Sequence, residues 1–204
     1  MRNIILKSAV VLALGIPLVA SAESNFTTGA GSPITATAKV DFTIIIPKFV
    51  SLQVGAAGVG INLITFDMTA AAASIGNATA QTATAGSGDL GNGIVTAKVT
   101  GNNGQVTLSV AAAAGGLVTA GGDTIPFSEI TTTTAVNTSA TALPAPVLTN
   151  GTSAGVLAAL TGTKITNQDA KWTYKYANTA VVAAGTYGGV NVQGGRVTYT
   201  ASMP

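Results

Sequence analysis

A chain of 204 residues with 8% charged side chains and with neither cysteine nor histidine excludes a disulfide framework, a thiolate or imidazole zinc site, and any nucleophile activated by an imidazole. Nine basic residues stand against seven acidic ones. The basic ones are scattered (Arg2, Lys7, Lys39, Lys48, Lys98, Lys164, Lys171, Lys175, Arg196), so there is no patch that would follow a nucleic acid backbone.

Taken from the start, Arg2 and Lys7 form a short charged region around which an apolar run builds from Ala9 to Ala20, and Ala20-Ser-Ala22 is a small-x-small cleavage signature. Residues 1–22 read as a secretory signal peptide, since the run contains Pro17 and is short for a bilayer span. Its removal takes Arg2 and Lys7 and leaves a formally neutral chain. Such a chain, exported without cysteines, gains its stability from burial or from partners. Residues 23–33 are polar and glycine-rich, which describes a flexible leader.

The longest unbroken pattern follows. In residues 34–46, Ile34, Ala36, Ala38, Val40, Phe42, Ile44 and Ile46 share one parity, while Thr35, Thr37, Lys39, Asp41 and Thr43 share the other. That is strand periodicity with one face made for burial, and at about 3.3 Å per residue it extends roughly 40 Å, more than an ordinary strand. Its place near the mature N-terminus makes it a candidate for lending to a neighbouring molecule. Residues 23–46 are therefore read as leader and candidate donor strand, and residues 47–204 as a separate β-domain.

Within that domain, Pro47 interrupts the pattern and a second strand continues from Phe49 through Val54. Gly55 to Gly60 is a turn, and residues 61–68 give a strand with Ile64, Phe66 and Met68 on one face. Residues 70–93 are low in complexity, read as loop plus a weak edge strand, with a helical turn available at Ala70–Ala73. Residues 94–110 read as a hairpin in which Val95, Ala97 and Val99 alternate before a Gly-Asn-Asn-Gly turn, and Val106, Leu108 and Val110 after it. Short strands are expected near Leu117, residues 125–130, Val147 and residues 164–165, with a short helix at residues 156–160. Trp172, Tyr174 and Tyr176 alternate with Lys171, Thr173 and Lys175, and a last strand covers residues 196–203. Many short strands, little helix and abundant Thr and Val predict an all-β sandwich, a closed barrel being the other arrangement.

Chemical motifs are sparse. Asp41, Asp67, Asp89, Asp123, Glu129 and Asp169 are not spaced as a catalytic pair, and each is expected in a turn or on a solvated strand face. Residues 86–91 spell G-x-G-x-x-G, but a strand rather than a helix follows, so no dinucleotide site is expected. Asp89 among glycines is a single acidic residue, too little for a calcium loop. Trp172, Tyr174 and Tyr176 are the candidate ligand-binding aromatics, since such rings stack on sugars, although the same period suits a core face. Asn25, Asn77, Asn137 and Asn150 stand in N-x-S/T sequons. No catalytic residue, metal ligand or cofactor is expected.

The segment Ile34-Thr-Ala-Thr-Ala-Lys-Val-Asp-Phe42 resembles the I-T-V-T-A-S-V-D-P opening of the colonisation-factor type (alpha or class 5) of chaperone-usher fimbrial major subunits. That family also lacks cysteines and closes with a G-x-Y-S-G-x-V type of strand, to which Gly185-Thr-Tyr-Gly-Gly-Val190 is similar. The resemblance covers two short ends, and this chain departs from it at Phe42, in the leader before Ile34 and in the longer final region. It implies an immunoglobulin-like, pilin-type sandwich lacking its last strand. The gap is completed by donor-strand exchange, with Ile34, Ala36, Ala38, Val40 and Phe42 as the side chains that enter a neighbour. It further implies a homopolymer, a periplasmic chaperone, an outer-membrane usher, a host or surface receptor, and a place in an extracellular fimbrium serving attachment or biofilm formation. The competing reading is a monomeric exported surface-binding module that takes glycans on its aromatic face.

Overall fold

The computed structural model describes residues 25–204, so the signal-peptide reading of residues 1–22 lies outside the described residues. The chain divides into two units, Met1–Ile46 and Pro47–Pro204. In the first, residues 25–46 carry no strand and every side chain is exposed. The strand expected over residues 34–46 is thus not formed. Alternation specifies which side chains share a face, but a strand exists only once its backbone finds a partner edge.

The second unit is all-β and antiparallel. Its strands are β1 (Val50–Val54), β2 (Gln81–Thr82), β3 (Ile94–Gly101), β4 (Thr107–Ala111), β5 (Leu117–Val118), β6 (Thr124–Ile125), β7 (Ile130–Ala135), β8 (Val156–Leu157), β9 (Thr166–Tyr176) and β10 (Thr198–Ser202). One sheet runs β1-β3-β9, with β2 continuing beyond β3 along one edge of β9 and β7 along the other. The second runs β10-β4-β8, and β5 with β6 forms a short ribbon. The inward side chains of both sheets meet in one core: Val95, Ala97 and Val99 from β3, Ala170, Trp172 and Tyr174 from β9, and Leu108 and Val110 from β4. This is the two-layer solution that lets each sheet bury one face.

Two local readings need correction. Residues 94–110 do not form a hairpin, because β3 and β4 belong to different sheets and the Gly-Asn-Asn-Gly turn carries the chain across the core. Both strands show the expected alternation, since an arch between two sheets demands the same inward parity as a hairpin does. Residues 156–160 are not a helix: β8 pairs with Thr107 and Leu108, and Ala158 donates its N–H to Val106 O at 2.9 Å. The apolar run is continuous because it forms an edge in contact with core on one side, not because it winds.

Other segments differ in degree. Residues 61–68 bury Ile64, Phe66 and Met68 in part, with their neighbours exposed, but no ladder forms. Thr65 donates its N–H to Ser87 Oγ and accepts from Thr84 N. Thr69–Ser74 is a 3-10 helix with non-helical φ/ψ at Ala71, and β2 is the weak edge strand beyond it. Phe127–Glu129 is a 3-10 turn between β6 and β7, and Val147 lies in irregular structure.

Register defines the two ends of the sandwich. β1 pairs Val50 with Gly101, and β10 pairs Ser202 with Thr107, so all four residues mark one end, here the Gly101 end. Thr198 pairs with Ala111 at the opposite end, toward which Val54 also points. β1 and β10 therefore run antiparallel.

Candidate functional site

The two sheets each present a free edge on the same side of the sandwich. Among the described residues, β1 forms a ladder only with β3, and β10 only with β4. These two strands lie beside one another with no ladder between them. They converge at the Gly101 end, where Lys48 Nζ donates to Pro204 O at 3.4 Å and Asn103 Nδ2 donates to the same oxygen at 2.8 Å. Gly101 is needed there, since a Cβ on it would meet Met203 Sδ at 2.9 Å and Val106 Cγ2 at 3.0 Å. Asn102 fixes the path into β1, accepting from Phe49 N at 2.9 Å and donating to Pro47 O at 2.8 Å.

Leu52 and Val54 of β1, and Val197, Tyr199, Ala201 and Met203 in and beside β10, pack on the core but remain only partly buried. Side chains of the central strands, such as Val99, Leu108 and Ala170, are sealed. Among the described residues the outer amides and carbonyls of both edges have no ladder partner, and a seam of alternating apolar side chains runs between them. Unpaired edges of this kind are natural acceptors for another strand.

Tyr199 forms the floor of the seam. Its ring lies 5.4 Å from that of Trp172 between centroids, at 48°, and its hydroxyl is 2.8 Å from the Tyr174 hydroxyl. Burial pushes the Tyr199 phenol up to about 12, only partly offset by its bond to Tyr174. Burial likewise raises Tyr174 well above the ordinary range, and the neighbouring Tyr199 adds to it. Both stay neutral, so one donates to the other.

The aromatic residues of β9 are brought together, but not on a surface. Trp172 is fully buried and donates Nε1–H to Leu143 O at 2.9 Å. Tyr174 and Tyr176 are buried as well, and Tyr176 stacks obliquely on Phe66 at 6.3 Å. Reading these three rings as ligand-binding is therefore corrected: their faces are spent on the core, leaving none for a sugar.

The candidate donor residues lie in the first unit. Ile34, Ala36, Ala38, Val40 and Phe42 are all exposed, Val40 by 71% and Phe42 by 89%. An apolar series so far into solvent is unfavourable unless something covers it.

The carboxylates do local work. Asp67 holds Thr69, Asp89 accepts from Thr96 N, Asp123 from the Thr119 hydroxyl, and Glu129 from Thr179. Asp169 is buried on the outer face of β9 and accepts from Asn137 Nδ2, from the amide and hydroxyl of Thr138, and from Ser139 N. Burial opposes its charge, but the Thr138 hydroxyl and the Ser139 and Thr138 amides outweigh that and hold the carboxyl well below its usual range. Sequence reasoning placed Asp169 on a solvated face, and it also missed Asn178, which is buried and ties Ser74 O to Gly76 N. Among the described residues no three acidic side chains gather to hold a metal ion. Compared with protein-family models, curated proteins and solved structures, the chain matches none.

Proposed function

We propose that the protein is the structural subunit of an extracellular pilus or fimbria, polymerising by donor-strand complementation and serving attachment or biofilm formation. The observation that carries this reading is the pairing of two incomplete features in one chain. Among the described residues, 34–42 offer an exposed strand pattern with no partner, and the seam between β1 and β10 offers two unpaired edges flanked by partly buried apolar side chains. Each is what the other needs. Side chains from the series Ile34, Ala36, Ala38, Val40 and Phe42 of one copy, four at a time, enter the seam of the next, making a fourth strand beside β10 and completing an immunoglobulin-like, pilin-type sandwich. Burial of about 400 Å² of apolar surface contributes on the order of 10 kcal/mol before the cost of ordering the segment.

The direction of insertion follows from connectivity. Residue 46 leads directly to Pro47, which Asn102 secures at the Gly101 end. A head-to-tail chain requires the donor to leave one copy at its Gly101 end and to enter the next at the opposite end. Residues 34–42 then run antiparallel to β10. Entry from the Gly101 end of the recipient would pair copies face to face and close a dimer instead.

On this reading the chain is exported by its signal peptide, and a periplasmic chaperone shields the seam until an outer-membrane usher delivers the donor. A host or surface receptor is the further partner. The alternative of a monomeric glycan-binding module loses its aromatic face to the core. The test is an unheated SDS gel of the full chain recovered from periplasm and medium. Bands at multiples of the subunit mass are expected, and Val40→Asp should abolish them because a charge would have to enter an apolar seam. Persistence of the multimers after deletion of residues 34–42 would sink the proposal.

A further inference from the structure

Just beyond the donor residues, the alternating pattern breaks. Ile44, Ile45 and Ile46 are consecutive, and they are 84%, 89% and 74% exposed. A strand with one buried face needs only alternate apolar residues, so a stretch apolar on both faces demands cover on both sides. The seam cannot supply that cover. Its β10 side offers four inward positions (Val197, Tyr199, Ala201, Met203), spanning about 20 Å, whereas the five donor residues from Ile34 to Phe42 span about 26 Å. Whether Ile34 or Ala36 is the residue opposite Met203, Ile44 falls one or two pleats outside the seam, at the end where the donor enters.

That end carries apolar residues on both flanks. On the β1 side, the loop that leaves Val54 is folded back by the bond from Ala56 N to Asn62 Oδ1, and it exposes Val59, Ile61 and Leu63. On the β10 side, the turn leading into Thr198 exposes Val190 and Val192, and Val118 N donates to Gln193 O to hold it. None of these five side chains has a role in the core.

Building on the donor-strand reading, we infer that these two loops form a pair of lips which close on Ile44–Ile46 of the inserted copy. They constitute a second subunit contact, separate from the seam. The occupant is another copy of this chain: the lips flank the point of insertion, the stretch that reaches them is uncharged, and its length places it there in either register. Seam and lips have different tasks. The seam satisfies a strand edge, while the lips keep three isoleucines out of water and fix the angle between successive copies.

The chain has no cysteine, so introduced pairs report contacts without background. Full-length chains carrying Ile45→Cys with Val192→Cys, or Ile45→Cys with Ile61→Cys, are oxidised and boiled in SDS. At least one pair is expected to give a ladder that collapses on reduction. The control pair Ile45→Cys with Val136→Cys places the second thiol beyond β7, at the far edge of the first sheet, and should give none. If unheated samples still polymerise but neither lip pair gives a reducible ladder, or the control cross-links equally, the lips are wrong and the seam reading survives. If the chain forms no polymer at all, both fall. In addition, Ile45→Ser should leave polymers that assemble but dissociate at a lower temperature in SDS; an unchanged dissociation temperature would overturn the inference.

Discussion

Asp169 organises a stretch of chain far from it in sequence. Its two oxygens collect four donors from residues 137–139, fastening that segment over the outer face of β9. Replacing it with Asn leaves the shape but removes the charge, and loss of charge-assisted bonds of this kind costs about 2 kcal/mol. Because its folded-state carboxyl lies below the ordinary 3.8, its stabilisation is present above that value and is lost as pH falls through it toward the lowered one. Urea unfolding should therefore show a gap between wild type and Asp169→Asn that is constant from pH 5 to 7 and narrows toward pH 2. The outward parity of Asp169 was legible from the alternation of β9. Its burial was not, because the covering segment comes from thirty residues earlier in the chain and carries no pattern that points to it. Trp172, Tyr174 and Tyr176 pose the reverse problem: period two suits a stacking face and a core face alike, and only the second sheet decides between them.

At the level of elements, a similar limit operates. Alternation assigned the inward residues of β3, β4, β9 and β10, yet it named no partner, and an arch was read as a hairpin because both place the same side chains inside. Residues 61–68 keep their alternating burial although their backbone bonds go elsewhere. The Val156–Leu160 run was mistaken for a helix because an edge strand with core on one side and a loop on the other also reads as continuous apolar sequence. Gly88 sits at φ +82°, and a Cβ there would meet the carbonyl oxygen of Ile94, the first residue of β3, at 2.3 Å. Gly88→Ala should lower stability by about 1–3 kcal/mol through backbone strain and the displaced start of that strand, measured by thermal unfolding. An unchanged melting temperature would show that the turn can relax without β3.

For the whole molecule, the seam offers a direct optical test. The chain has one tryptophan, and Tyr199 lies between it and the seam. A peptide covering residues 34–42, added in excess to Val40→Asp protein, should occupy the seam and shift Trp172 emission, whereas the same peptide carrying Asp in place of Val40 should not. Equal shifts from both peptides would mean the seam does not read apolar side chains. The sandwich class was legible because many short alternating segments leave few other solutions. Which edges stay open was not, since openness is a property of what fails to pair.

The Asn102 clasp at Pro47 and Phe49 has a mechanical consequence. Tension that pulls on Pro47 along the axis of β1 arrives at the first residue of that strand. The bonds from β1 to β3 lie across this axis, so the five registered residue pairs share the load in shear instead of parting one after another. A ladder loaded this way yields less readily than one peeled open pair by pair.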